Sequence, residues 1–420
     1  MKKTFALGYS LVINWFISWG LFNFCCTISV TVFRDAICAL RGYSNVTVLD
    51  MSTYSGIIVS LLFLILPKYL RRFGAKKILV IGALLGGIVY VLTPFSPNAV
   101  VLGLLIGLGQ LFGGMYCSIS TMMMVSKWFP RKKGTVMGII TAAGILSSGV
   151  MLPLFSKAYL AFGITNAMII FGFVLIAYGV VSIFWLKETP QEVGLMPDNM
   201  PMSEEEQQAM VAAANAKSTW SYRQLLKCPK FWCVSLGWGF QLIGLATLAG
   251  VVVGAMMGFG LPYETVITVA SIMGYLTVIS SVGSGLMDTK FGVMKTNILI
   301  VGLEIIGLLV LGIGGSKLSV PVLIIMWILV NGTAGAPNNL FSSQVLNMFG
   351  AKGYGTAYIL FSAFLSMKNI ALWIAGRSLA ATGGYQLALL IGGIIMAVGL
   401  VLIIIAGGKK LPDPIEKVKA

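Results

Sequence analysis

Residues that could carry out chemistry are few in this chain of 420 residues. The sequence has no histidine, which removes the commonest general base and metal ligand. Its six cysteines are scattered without a Cys-x-x-Cys pair, so we expect small buried side chains rather than a metal site. No nucleophile–base constellation and no phosphate-binding GxxxxGK[ST] loop occurs. The sequence therefore predicts that the protein is not an enzyme and binds no metal or cofactor.

Three ionisable residues stand inside long apolar runs, where a charge is costly. Lys368 lies near the middle of its run, where an ammonium costs about 2.5–3.5 kcal/mol on insertion scales. A bound anion would offset that cost, whereas the alternative is a lysine that snorkels outwards or pairs with a carboxylate. Glu304 is expected either to carry a proton or to be the structural partner of Lys368. Arg377 is expected on the face opposite Lys368, as a charge at the membrane interface more than as a ligand group.

Neutral polar and aromatic residues in the apolar runs are the expected lining of a solute cavity. Each of them could instead form a hydrogen bond between helices. In the first run they recur at about helical spacing, as Trp15, Trp19 and Asn23. The others are Gln110, Tyr116, Gln241, Tyr275, Asn331 and Asn338.

The elements that must position these residues are membrane helices. The hydrophobic fraction is 58% and the charged fraction 10%, well below the charge content of soluble domains. Apolar runs long enough to cross a bilayer predict an all-α membrane protein with twelve spans. They fall at about 8–33, 52–67, 77–95, 99–125, 135–157, 164–186, 231–257, 265–287, 296–314, 320–346, 354–377 and 385–407.

The net charge of +16 does not indicate a nucleic-acid partner, because the basic residues are concentrated in short loops between apolar runs. With both termini on the cytoplasmic side, 23 of the 29 Lys and Arg residues lie in cytoplasmic segments. This asymmetry predicts that orientation by the positive-inside rule. The expected surroundings are therefore the lipid bilayer of a cell membrane.

The two halves of the chain repeat each other. Arg72-Phe73-Gly74 with Lys77 follows the second run, and Lys290-Phe291-Gly292 with Lys295 follows the eighth. The repeat predicts two six-helix bundles, 1–186 and 231–420, joined by a cytoplasmic linker at 187–230. Within the linker, Ser203 is placed to cap a short helix that runs from there through 209–216. Because Asp288, Lys290, Lys295, Arg72 and Lys77 stand at helix ends, we expect them to form gating loops.

These loops resemble those of the major facilitator superfamily along nearly the whole chain. The segment 285–292 (GLMDTKFG) is similar to the superfamily's loop between its second and third helices. The first-half copy, 68–74 (KYLRRFG), has Arg71 where an Asp is usual. Further segments resemble the oxalate/formate antiporter and monocarboxylate transporter-like branch. They are 127–134 (KWFPRKKG), 190–198 (PQEVGLMPD), 225–227 with 231–232, and 349–352 with 354–356.

The resemblance implies the major facilitator fold, two six-helix pseudo-repeats, and transport by alternating access. Oxalate-type relatives carry a cavity lysine in the eleventh helix, which aligns with Phe364 here. Lys368 is one turn further on, so the resemblance implies a displaced anion anchor. The branch also uses an arginine in the eighth helix, whereas this chain has neutral residues at 272–277. A single cation suits a monoanion better than a dianion such as oxalate.

Secondary transport of a small organic anion, with a monocarboxylate favoured, is the function that these features predict. Coupling to a proton or a counter-anion, a monomeric state and a bacterial inner membrane are further expectations. The alternatives are an exporter or carrier of neutral or drug-like solutes, and a transporter-like solute sensor.

Overall fold

A computed structural model of the chain describes residues 6–130, 132–199 and 220–412. Within these ranges the chain is helical and contains no β-strand. The helices of the first half are α1 (Ala6–Asn23), α2 (Val30–Val32), α3 (Arg34–Arg41), α4 (Asn45–Phe73), α5 (Ala75–Leu92), α6 (Ala99–Met115), α7 (Thr121–Trp128) and α8 (Lys133–Trp185). Those of the second half are α9 (Tyr222–Leu226), α10 (Pro229–Gly258), α11 (Tyr263–Phe291), α12 (Val293–Gly314), α13 (Val320–Thr333), α14 (Ala336–Leu365), α15 (Ile370–Thr382) and α16 (Gln386–Ala406).

These helices make up twelve membrane spans. Eight of the helices described are long and apolar enough to cross a membrane, and α6 and α13 are shorter apolar helices that neighbouring segments continue. Helix α8 holds the fifth and sixth spans, because Gly163 (φ 78°) interrupts its helical backbone. Gly350 (φ 67°) likewise divides α14 between the tenth and eleventh spans. The predicted all-α, twelve-helix architecture is confirmed.

The second span is longer than the sequence predicted. Helix α4 has 29 residues, against a predicted run of 52–67. Its first turns are mildly polar because they pack against another helix, not against lipid. Ser55 is buried and donates to the carbonyl of Gly103 in α6 at 3.0 Å. Apolarity alone underestimates a span whose polar residues are satisfied inside the bundle.

The chain divides into two compact units, Met1–Val211 and Ala212–Ala420. The division falls inside the segment predicted to be a linker. The short helix predicted at 209–216, with Ser203 as its cap, lies outside the described residues. In both units large apolar side chains lie on the outer surface, as a lipid-facing bundle requires; examples are Phe184 and Ile313, exposed by 75% and 70%.

The internal repeat extends to backbone conformation. Gly74 has φ 87° and ψ 150°, and its counterpart Gly292 has φ 81° and ψ 155°. Both values of φ favour glycine over other residues, which is why each turn has one there. The preceding pairs also match, since Arg72 lies over the ring of Phe73 and Lys290 over that of Phe291. The two six-helix units are therefore structural copies at this loop.

Candidate functional site

In the first unit, two spans carry a π-helical segment in mid-span. Phe24–Ser29 follows α1 and Tyr116–Ser120 follows α6, and each segment packs against the helix that carries the other. Such segments are rare in helices and frequent at functional sites. The residue before the first of them, Asn23, donates from Nδ2 to the carbonyl of Gly144 at 2.9 Å and to Ser147 Oγ at 3.3 Å. The side chain of Asn23 thus forms polar contacts between the end of α1 and α8.

The five residues predicted to line a cavity in this unit fall into two groups. Trp19, Asn23 and Gln110 are partly exposed and can reach a solute. Trp15 and Tyr116 are fully buried, and Tyr116 stacks on Phe22 with a centroid distance of 4.4 Å. The structure therefore places Trp15 and Tyr116 in the packed core. Helical spacing put Trp15 and Trp19 on one face but could not show how much of that face neighbouring helices cover.

In the second unit, Lys368 lies at a break in the eleventh span. The 3₁₀ segment Ser366–Asn369 separates α14 from α15, and this segment packs against α10. The side chain of Lys368 is exposed in this segment. Lys368 makes no hydrogen bond or ion pair with any residue that the structure describes. Its role as an anion-binding residue remains a prediction.

Phe364 lies at the end of α14, and Lys368 lies in the 3₁₀ segment that follows it. Phe364 packs into an aromatic cluster, with ring centroids 5.7 Å from Trp232 and 6.3 Å from Phe231. Lys368 is exposed. The 3₁₀ segment changes the rotation per residue between them, so one α-helical turn does not relate the two side chains.

Glu304 forms its described side-chain hydrogen bond with a glutamine, not with a lysine. It is fully buried in α12, and Oε2 accepts a hydrogen bond from Nε2 of Gln241, which is fully buried in α10. The hydroxyl of Thr333, the last residue of α13, lies beside the same carboxyl group. The ion pairs described in the structure do not join Glu304 to Lys368, and their pairing remains a prediction. Gln241 correspondingly contacts a carboxyl group rather than open space.

Polar residues of the eighth and tenth spans lie at close helix contacts. The tenth span is interrupted at Ala334-Gly335, and a Cβ on Gly335 would lie 2.1 Å from the carbonyl oxygen of Thr277. The hydroxyl of Thr277 donates to the carbonyl of Asn331 at 2.8 Å, and Nδ2 of Asn331 is buried. Tyr275 is 46% exposed on α11. The side chain of Asn338 lies outside the described part of the chain.

Arg377 is exposed near the end of α15, with its guanidinium 5.6 Å from the ring centroid of Trp373. Trp373 is also exposed, and an arginine–tryptophan pair of this kind is common where a span meets the headgroup region. This placement agrees with an interface anchor. No ion pair between Arg377 and Glu304 is among those the structure describes.

The predicted gating residues lie at the inner ends of the units, meaning the ends predicted to be cytoplasmic. Arg72, Lys77, Lys290 and Lys295 are exposed, and Asp288 is half-buried in the last turn of α11. The ion pairs described in the structure do not include any of these five residues. Their role in gating remains a prediction.

Sequence reasoning missed Glu188, which follows the sixth span. Its carboxylate accepts from the backbone N–H groups of Ala75 and Lys76 at 3.3 and 3.4 Å and from Lys127 Nζ at 2.6 Å. Desolvation opposes the charged form, but the Lys127 hydrogen bond and charge and the two N–H donors outweigh it and lower the pKa of Glu188 below its usual value. Arg71 replaces the acidic residue that is usual in this loop. That replacement was the sequence signal that another acidic residue is needed at the start of α5.

Comparison with known proteins agrees with this architecture. A family model described as Major Facilitator Superfamily matches residues 11–367. The protein named "uncharacterized MFS-type transporter YcxA" of Bacillus subtilis (strain 168) is 27% identical over 192 residues. That match covers 42% of this chain and 45% of the relative, so less than half of either protein aligns.

Two solved structures share the fold. Both are crystal structures of a bacterial homolog to the human lysosomal transporter Spinster, one inward-facing and unoccupied, the other inward-facing and occupied. Each has a TM-score of 0.67 and covers 95% of this chain, and the matches cover 95% and 96% of those chains. Sequence identities of 15% and 12% mean that the likeness concerns the fold alone.

Proposed function

The chain belongs to the Major Facilitator Superfamily, and from that premise we propose that it is a secondary transporter of small organic anions, with monocarboxylates as the favoured class. The observation that carries this proposal is Lys368, an exposed lysine at the break in the eleventh span with no partner among the described residues. The family points to transport rather than catalysis. We place the protein in a bacterial inner membrane because of its family resemblance, and both termini on the cytoplasmic side because of the distribution of its basic residues.

The charge balance favours a monoanion. An ammonium inside a span is costly unless an anion or water compensates it. Glu304 does not compensate it, because that carboxyl group is buried against Gln241. The substrate carboxylate is then the group that balances Lys368, and one lysine balances one negative charge. One positive charge in the site supports a substrate with one carboxylate. Among the substrates of the oxalate/formate antiporter and monocarboxylate transporter-like branch, this favours a monocarboxylate.

The partly exposed candidate residues of the first unit, taken by itself, are uncharged. Trp19 offers an aromatic surface, and Asn23 and Gln110 offer amide groups that can bind carbonyl or hydroxyl groups of a substrate. Carriers of cationic solutes need an accessible carboxylate in a span. Glu304, the carboxyl group in mid-span of α12, is fully buried, which disfavours a cationic cargo.

The proposal is tested with the purified full chain in liposomes. Radiolabelled lactate is the monoanion probe, oxalate the dianion, glycerol the neutral solute and choline the cation. We expect lactate uptake above that of protein-free liposomes, accelerated when unlabelled lactate is present inside, and weaker oxalate uptake. Uptake of glycerol or choline in place of lactate would refute an anion transporter, and binding without uptake of any probe would indicate a sensor.

A further inference from the structure

The carboxyl group of Glu304 lies in a buried polar cluster at the centre of the second unit. Glu304 is the twelfth residue of the 22-residue helix α12, and it is fully buried. Gln241 of α10 donates one hydrogen bond to its Oε2, and the hydroxyl of Thr333 of α13 lies beside it. Three helices therefore converge on one carboxyl group in an apolar interior.

This cluster has more acceptors than donors. Oε1 of Glu304 and Oε1 of Gln241 are both buried, and neither has a hydrogen-bond partner in the described structure. The hydroxyl of Thr333 is within hydrogen-bonding distance of the carbonyls of Leu329 and Val330, which can take its one proton. A proton on Oε1 of Glu304 would supply a donor that the surroundings lack. Without it, an acceptor and a negative charge are buried without compensation.

The ion pairs among the described residues do not include Glu304. Helices α13 and α16, which pack against α12, contain no ionisable residue. The ionisable groups of the other packed segments are Lys230 and Cys233 of α10, Tyr263, Glu264, Tyr275, Asp288 and Lys290 of α11, Lys352, Tyr354 and Tyr358 of α14, and Lys317. The partners that the described structure gives the Glu304 side chain are Thr333 and Gln241.

We propose that Glu304, held by Gln241 and Thr333, is a proton-binding site of the second unit, separate from the anion-binding lysine. The bound proton converts the carboxylate to a neutral carboxylic acid, and its release leaves the carboxylate. The coupling of this site to transport rests on the proposed function, whereas proton binding itself does not. One proton moving with one monoanion carries no net charge across the membrane.

Helix α10 connects this cluster to the segment that carries Lys368. Gly239 lies two residues before Gln241, and a Cβ at Gly239 would stand 2.6 Å from the sulfur of Met367, next to Lys368. The same helix therefore contacts the proton site and the anion site. Thr333 in addition directly precedes the break in the tenth span, and interrupted helices are where transporters commonly bind coupling ions. A change in the Gln241–Glu304 hydrogen bond can therefore affect the segment that carries Lys368 and the break in the tenth span, since both are close to this cluster.

Infrared difference spectroscopy on the full chain, without any anion, tests the site directly. Spectra at neutral and alkaline pH report the carbonyl stretch of a protonated carboxylic acid. We expect a band that is lost on alkalinisation, absent in Glu304→Gln, and retained in Glu264→Gln, which removes an exposed carboxyl of α11. In Gln241→Leu the band should move to higher frequency because its hydrogen-bond donor is gone.

Two outcomes overturn the proposal: identical bands in the wild type and Glu304→Gln, or, if that variant does not fold, an unshifted band in Gln241→Leu. For coupling, Glu304→Gln should keep lactate counterflow but lose at least tenfold in accumulation driven by an inward proton gradient. Accumulation equal to the wild type would refute coupling at Glu304. Absence of lactate uptake by the wild type would refute the proposed function, and the infrared result would still decide the proton site.

Discussion

Lys127 and Glu188 form an ion pair with Nζ 2.6 Å from Oε1, joining the end of α7 to the residue that follows the sixth span. The same carboxylate accepts from the first two N–H groups of α5, where the positive end of the helix dipole favours an anion. One side chain therefore ties three segments of the first unit together at its inner end. The side chains are 36% and 22% exposed, so water screens part of the attraction.

Glu188→Gln should lower the stability of the first unit by about 1 kcal/mol at neutral pH, because it removes the charge that caps α5 and pairs with Lys127. The pKa of Glu188 is lowered in the folded chain, so its stabilisation is complete above the unfolded-state pKa and is lost as pH falls through the folded one. The difference in Tm between the wild type and the variant should therefore be constant above about pH 5 and shrink as the pH is lowered below that value.

Glu192→Gln is the matched control for this substitution. Glu192 lies in the same loop but accepts only from the N–H of Glu188 and the hydroxyl of Thr189, both at 3.3 Å. Its effect on Tm should be smaller than that of Glu188→Gln. Equal losses of Tm in the two variants would contradict the stabilising role of the Glu188 carboxylate. So would a loss of Tm in Glu188→Gln that is constant with pH.

Gly107 and Gly109 differ sharply in packing although both are in α6. A Cβ on Gly107 would lie 2.4 Å from the Cβ of Ser55, whereas a Cβ on Gly109 would meet nothing closer than Val89 at 4.0 Å. Gly107→Ala should therefore destabilise the protein by about 1–3 kcal/mol through overpacking. Gly109→Ala should be neutral or stabilising by up to about 1 kcal/mol, because alanine favours the helix. Thermal unfolding in detergent compares them, and a tolerated Gly107→Ala would show that α4 and α6 are not in close contact.

The orientation of the chain is tested with single cysteines in a background without native cysteines. Lys317 and Pro97 are exposed in loops predicted to be extracellular, and Lys132 is exposed in one predicted to be cytoplasmic. Lys317→Cys and Pro97→Cys should react with a membrane-impermeant maleimide in intact cells, and Lys132→Cys only after permeabilisation. Labelling of Lys132→Cys in intact cells would reverse the assigned topology.

The sequence was sufficient for those features that depend on hydrophobicity averaged over a span or on a repeated loop. The twelve spans and the repeat at Gly74 and Gly292 are of this kind. It was insufficient where one contact decides the outcome. Trp15 and Trp19 share a helical face by spacing, yet Trp15 is fully buried and Trp19 is partly exposed. Phe364 and Lys368 are four residues apart, yet the chain changes from α-helix to 3₁₀ helix between them. The contacts of Glu188 with the start of α5 and with Lys127 join residues far apart in sequence, which local patterns do not reveal.

Lys368 provides the most direct test of the account, through the affinity of the reconstituted protein for radiolabelled lactate. Lys368→Gln should fold normally, because no described residue depends on the ammonium group, and should weaken binding more than tenfold. The expected loss is roughly 2–5 kcal/mol, by analogy with buried charge pairs that lose one member. Lys368→Arg should retain part of the affinity, since the charge survives while its geometry changes. Lys317→Gln, which removes an exposed lysine of the loop after α12, should bind lactate as the wild type does. A well-expressed Lys368→Gln protein with unchanged lactate affinity would contradict the account.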